Sequence, residues 1–212
     1  MLALKSVTYN DKQKLCYPEI ETHKQEVCSP YNQFATSEMK LYQKLENTID
    51  WNKSIEQQLD RLGEFDDITD EEIKELAQTC HKSTEAGILL EYLGFERLKP
   101  YLNLFLEFLQ DMNWPAAGGA SRMLSKAGKE IIPDIRRVLE EVKNDQIWHY
   151  WILLGIVQDF DKELISELKD DLIELVNRRD KKGASIQALR ILKGNQIISE
   201  EEVEKHYQDL LD

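Results

Sequence analysis

Two stretches decide the fold, Gly94-Phe-Glu-Arg-Leu-Lys-Pro100 and Gly128-Lys-Glu-Ile-Ile-Pro133. Each runs from a glycine to a proline and leads into an apolar pattern at helical spacing. Glycine past the end of a helix and proline in the first turn of the next are the residues that stop and restart a helix at least cost. The two prolines lie 33 residues apart. The partner segments Ala116–Leu124, His149–Val157 and Ser185–Leu192 recur at about the same interval, as repeated helical pairs do. A pair of this length cannot bury its apolar face alone, so the pairs must stack.

The same helical period extends in both directions. Towards the N-terminus, Leu41, Leu45, Ile49, Asn52, Ile55, Leu59 and Leu62 form one stripe, which predicts a long amphipathic helix from Ser37 to Gly63. Thr69-Asp-Glu-Glu72 has the form of a capping box, and so does Ser199-Glu-Glu-Glu202 near the other end. Between them the periodicity predicts helices over Thr84–Leu93, Arg97–Met112, Pro115–Lys126, Glu130–Asn144, Gln146–Phe160, Lys162–Arg178 and Lys182–Leu192. No β-rich run follows residue 37. The expected fold is all-α: a right-handed solenoid of stacked antiparallel helical hairpins, HEAT-like. It follows an irregular N-terminal arm over 1–37 and an N-terminal helical pair over 38–82, with the repeat domain over 83–212. The arm holds Cys16, Cys28, Pro18 and Pro30, with a short strand expected at Val7–Tyr9.

The chain has 212 residues, 42% hydrophobic and 32% charged, with 9 Gly and 5 Pro, which excludes a wholly disordered or collagen-like polymer. It carries 27 Lys+Arg against 40 Asp+Glu, a net charge of −13. Phosphate contacts need a basic face, so nucleic acid is an improbable partner and a cationic protein a natural one. The arm is neutral, so the whole excess falls on residues 38–212. The odd, low count of three cysteines fits a reducing compartment. No signal-peptide core or membrane-length apolar run is visible, and the expectation is a cytoplasmic protein.

Leu104-Phe-Leu-Glu-Phe-Leu-Gln-Asp-Met-Asn-Trp-Pro115, Ile132-Pro-Asp-Ile-Arg-Arg-Val-Leu139 and Asp145-Gln-Ile-Trp-His-Tyr-Trp-Ile152 together resemble a bacterial family of HEAT-like helical-repeat domains of unknown function. The resemblance covers about residues 84–193. It implies no settled activity. Members of the family resemble proteins encoded among toxin–immunity systems, which implies an immunity protein that occludes a toxin domain, a basic one if the toxin is a nuclease.

Two groups of residues are candidates for binding. In Asp111-Met-Asn-Trp-Pro115, Pro115 suits a helix start, Asn113 or Asp111 a cap and Trp114 a plug between helices; the functional alternative sets Asp111 and Asn113 on a partner-facing turn. Trp148, His149 and Trp151 crowd one turn with Tyr150, and three aromatics within four residues cannot all face one core. A groove around Trp114, Trp148 and Trp151 would suit a protein loop or, alternatively, a small molecule or nucleotide. The second group is acidic: Glu64, Asp66, Asp67, Asp70, Glu71, Glu72 and Glu75 face only Lys74. It reads either as a solvated face or as an electrostatic lure. No histidine or cysteine spacing fits a metal and no nucleophile motif stands out, so neither a cofactor nor catalysis is expected. Gly118-Gly119 falls inside a predicted helix, where each glycine costs about 1 kcal/mol relative to alanine. Close helix packing beneath Trp114 or Trp148 is the expected compensation.

Overall fold

The computed structural model describes residues 38–180 and 182–211, with residues 38–40, 55, 56, 59 and 211 described by backbone only. The expectations for the arm, including Cys16, Cys28 and the strand at Val7–Tyr9, lie outside the described residues. Those residues are helical, with no strand among them. A single cluster of buried apolar side chains runs from Leu41 to Val203.

The predicted long first helix is two helices, α1 (Glu38–Thr48) and α2 (Ile55–Leu62). Of the stripe, Leu41, Leu45, Ile49 and Leu62 are buried, while Asn52 is exposed. The break is made by polar side chains that compete with the helical hydrogen bond. Asp50 Oδ1 accepts from the backbone N–H of Asn52 at 3.0 Å and from its side-chain amide at 3.2 Å. Ser54 and Gln57 then form a capping box that starts α2. Both predicted capping boxes form, Thr69–Glu72 at the start of α3 (Asp70–Thr79) and Ser199–Glu202 ahead of α12 (Glu200–Leu211).

Between these ends several elements are shorter than the periodicity predicts, while the predicted stop at Gly94 is observed. α4 (Thr84–Leu98) is interrupted at Gly94, whose φ of +70° leaves the helical path. The expected Arg97–Met112 helix resolves into α5 (Leu102–Leu106) between two 3₁₀ turns, Lys99–Tyr101 and Glu107–Gln110. Next along the chain come α6 (Ala117–Ser125), α7 (Ile132–Glu141) and α8 (Gln146–Gly155), with Gly128 at φ +55° between α6 and α7. The expected Lys162–Arg178 helix is divided at Leu168 into α9 (Lys162–Glu167) and α10 (Lys169–Asn177). α11 (Ala184–Gly194) leads to α12. α4 packs on α6, α6 on α8, α8 on α11 and α10 on α11.

The Gly-Gly pair explains the tightest of these contacts. A Cβ on Gly119 would fall 2.1 Å from the carbonyl oxygen of Gly87 in α4. The compensation for glycine is therefore close approach to α4, rather than space beneath a tryptophan. Gly87 reciprocates, because a Cβ there would meet the Ala116 backbone at 3.2 Å. Two residues on, Ser121 Oγ donates to the Gly155 carbonyl of α8 at 2.6 Å. Gly118 has no such constraint: its nearest neighbour would be the Arg122 guanidinium at 3.4 Å.

The start of α11 is held by one carboxylate. Asp180 Oδ1 accepts from the N–H groups of Lys182, Gly183 and Ala184 at 2.8, 2.8 and 3.1 Å, and Oδ2 accepts from that of Ser185. Burial works to raise the Asp180 pKa, and hydrogen bonds from Ser185, Lys182 and Ala184 overcome it, so the carboxyl sits below its ordinary range.

Two stability measurements check these points. Gly119→Ala gains helix propensity of about 1 kcal/mol but must push two backbones apart, and a net loss of about 2 kcal/mol or more is expected. Gly118→Ala is expected to be neutral or stabilising by up to about 1 kcal/mol. Urea melts that rank the two variants the other way would remove the α4–α6 contact as the reason for the glycine. Asp180→Ala is expected to cost about 1–2 kcal/mol at pH 7. Because the folded pKa is depressed, that stabilisation is present above the unfolded value of about 3.9 and is lost as pH falls through the lower folded value. The gap between wild type and variant must then close below pH 4, and a gap constant from pH 7 to pH 3 would contradict the cap.

Candidate functional site

The residues predicted for binding occupy separate environments. Asp111 Oδ1 accepts from the backbone and side-chain N–H of Asn113, both at 2.9 Å, so this pair closes its own turn rather than capping α6. Trp114 is half-buried and its ring lies 4.5 Å from that of His81. The backbone ties the same two turns together, because Ala116 N–H donates to the His81 carbonyl at 3.2 Å. Trp114, His81 and Phe108 line a cavity of about 290 Å³. Burial, and then Lys82, lower the His81 pKa.

Trp148 lies in the core, 5% exposed, with its indole N–H donating to the Leu106 carbonyl at 3.2 Å. It pins α8 to α5 and is closed to a partner. Trp151 is half-buried and packs edge-on against Tyr150 at 5.0 Å. His149 is 1% exposed and lines a different cavity, with Arg178 and Asp180.

The acidic residues are better placed for a partner. Glu64, Asp66, Asp67, Asp70 and Glu71 are exposed, while Glu75 is half-buried. Asp70, Glu71 and Glu72 occupy the first turn of α3, where the helix dipole favours carboxylates. Asp70 also pairs with Arg97 at 3.6 Å. Asp66 accepts a hydrogen bond from the Tyr92 hydroxyl at 2.6 Å, which together with burial raises the Tyr92 pKa.

That last bond leads to a groove that the periodicity and motifs did not point to. Trp51, Leu62, Ile88 and Tyr92 form apolar walls around a cavity of about 500 Å³. Trp51 stands 59% exposed on the turn that separates α1 from α2. Its indole N–H donates to Glu85 Oε1 at 3.1 Å. The two aromatic residues thus each hold a carboxylate at the rim, Trp51 holding Glu85 and Tyr92 holding Asp66. Gln58 Oε1, a hydrogen-bond acceptor of a residue on the same wall, is buried and has no partner among the described residues. Lys126 also lines the groove, and Glu91 is bound by Arg122 through two bonds of 2.6 and 2.8 Å. The available signal was the Asp50-Trp-Asn52 sequence, which sets a large aromatic on a polar turn where no core can take it.

Among the described residues no helix is long and apolar enough to cross a membrane, and no group of three or more His, Cys, Asp or Glu is placed to hold a metal ion. Cys80 is a buried free thiol, raised in pKa by that burial.

Comparison with known proteins finds no matching curated protein and no matching solved structure. A family described as "Domain of unknown function (DUF5071)" matches residues 84–191, just over half of the chain. The matched region starts with α4 and ends within α11, so it contains the Gly87–Gly119 contact, Trp114 and Trp148. By this match the chain belongs to the DUF5071 family.

Proposed function

We propose that the chain is a protein-binding helical-repeat module with no catalytic role, and that its groove between Trp51 and Tyr92 receives a basic segment of a partner protein. The observation that carries this reading is the pairing of each groove aromatic with a rim carboxylate. A lysine or arginine entering there meets an exposed indole face and the carboxylates that Trp51 and Tyr92 hold beside the groove, with Lys126 the opposing charge in the wall. A cation over an aromatic face is worth about 0.5–1 kcal/mol when exposed and about 2 when desolvated. The exposed acids from Glu64 to Glu71 extend the negative field beyond the groove and favour encounter with a basic surface.

The most specific form of this reading is a cytoplasmic bacterial immunity protein that neutralises a basic toxin domain by occluding it. The resemblance of the 104–152 segments to a family whose members resemble proteins of toxin–immunity systems supports it, and so does the net charge of −13. The scaffold is read as a right-handed HEAT-like solenoid of stacked hairpins. Supporting that are bonds between residues about one repeat apart: Arg122 with Glu91, Lys99 with Glu130, Arg136 with Glu167 and Ser121 with Gly155. A second reading, a small-molecule site, is favoured by the cavity where the Trp114 and His81 rings meet.

Calorimetric titration with a lysine-rich peptide and a glutamate-rich control of equal length checks the main reading. The basic peptide is expected to bind at low salt and to weaken at least tenfold at high salt, because exposed charges are screened. Trp51→Ala combined with Asp66→Asn is expected to weaken binding by about tenfold, a loss of about 1.4 kcal/mol. Equal binding of both peptides, or an unchanged affinity in the double variant, would sink the assignment of the groove.

A further inference from the structure

A third cavity, of about 410 Å³, lies where α8 meets the corner between α10 and α11. This volume falls in the range of small-molecule sites. Two polar atoms of its lining residues, His149 Nε2 and Arg178 Nη1, are buried and have no hydrogen-bond partner among the described residues. Buried polar groups in folded proteins are nearly always satisfied, and leaving one unpaired costs about 1–3 kcal/mol. Two such groups in the walls of one cavity point to something that belongs in it.

The chemistry of the two atoms defines the complement. The His149 ring hydrogen-bonds the Val138 carbonyl, and since Nε2 has no partner this bond comes from Nδ1–H. Burial first, and then the Arg178 guanidinium, lower the ring's pKa, so at pH 7 the imidazole is neutral and Nε2 is an acceptor. Arg178 Nη1 is a donor, its Nη2 already being given to Glu174 at 2.7 Å. The charges in the wall balance: Arg178 is paired with Glu174, Lys143 lowers the Glu174 pKa together with Arg178, and Asp180 is consumed by the N–H groups at the start of α11. An anion would meet two carboxylates, and a cation would meet Lys143 and an unpartnered guanidinium nitrogen.

We propose that this cavity binds a small uncharged molecule carrying an N–H or O–H donor beside a carbonyl acceptor, such as a carboxamide or the edge of a cyclic imide, with His149 Nε2 and Arg178 Nη1 as its two partners. The site is separate from the Trp51 groove and does not depend on the partner proposed for it.

The test uses the full chain with nicotinamide as the carboxamide probe and uracil as the cyclic imide, and with acetate and inorganic phosphate as charged probes. Calorimetry reads affinity, and the ¹⁵N resonances of the His149 ring report contact at Nε2. Binding of a neutral probe with a shift of the Nε2 resonance is expected, nicotinamide or uracil identifying which donor–acceptor pair fits. His149→Phe keeps the ring and removes the acceptor, and is expected to weaken binding at least tenfold, while Trp51→Ala leaves it unchanged. If His149→Phe does not fold, the Nε2 resonance in the wild-type chain decides. Failure of both neutral probes to bind or to move that resonance at millimolar concentration would overturn the proposal, as would preferential binding of acetate or phosphate.

Discussion

The approach of Gly119 to the Gly87 carbonyl is the constraint on which the rest of the helical body depends. Two helices meet backbone to backbone only where neither carries a side chain at the crossing. Glycine is a poor helix former, and the contact offsets that cost by bringing α4 and α6 close enough to bury Leu89, Leu90, Met123 and Leu124 together. The contact also positions the next layer of helices. Ser121 lies half a turn beyond Gly119, and its hydroxyl reaches the Gly155 carbonyl, so α8 is registered against α6 by the same stretch of chain. Trp148, two turns earlier in α8, brings its indole N–H to the Leu106 carbonyl.

The same register presents the two surfaces proposed for binding. With Gly87 turned to α6, the neighbouring positions Ile88 and Tyr92 of α4 line the groove beside the α1–α2 turn that carries Trp51. The groove is amphipathic by construction. Its aromatic walls are held by carboxylates on the adjoining elements, Asp66 after α2 and Glu85 in the first turn of α4. Further along the chain α8 sets His149 in one cavity wall with Arg178, and the Asp180 cap holds the start of α11 there. On the two proposals, one scaffold carries an acidic surface for a cationic segment and a charge-balanced cavity for a neutral molecule.

The sequence made part of this legible. Apolar period, capping boxes and the Gly/Pro punctuation located the helices, because those signals act within one turn of chain. They stopped the helix before Gly94 correctly, where φ turns positive, and overestimated length elsewhere: Asp50 and Asn52 broke the first helix, and the chain turns out of helical geometry at Leu168 between α9 and α10. The site was less legible, since it depends on pairs 26 to 34 residues apart, such as Tyr92 with Asp66 and Trp51 with Glu85. A lone tryptophan between two stripe positions carries no periodic signal. The aromatic run at 148–151 carries a strong one, and its largest member is spent on the core. The acids from Glu64 to Glu71 were visible because exposure of a carboxylate run follows from composition alone.

That the Trp51–Tyr92 groove is the binding face is tested most directly by amide hydrogen exchange of the intact chain with and without a saturating basic peptide. Exchange is predicted to slow at residues 50–54 and 63–67, the turns that carry Trp51 and Asp66, and to remain unchanged at the Asp111–Trp114 turn. Protection confined to that turn or to the α10–α11 corner, with residues 50–54 unaffected, would contradict it.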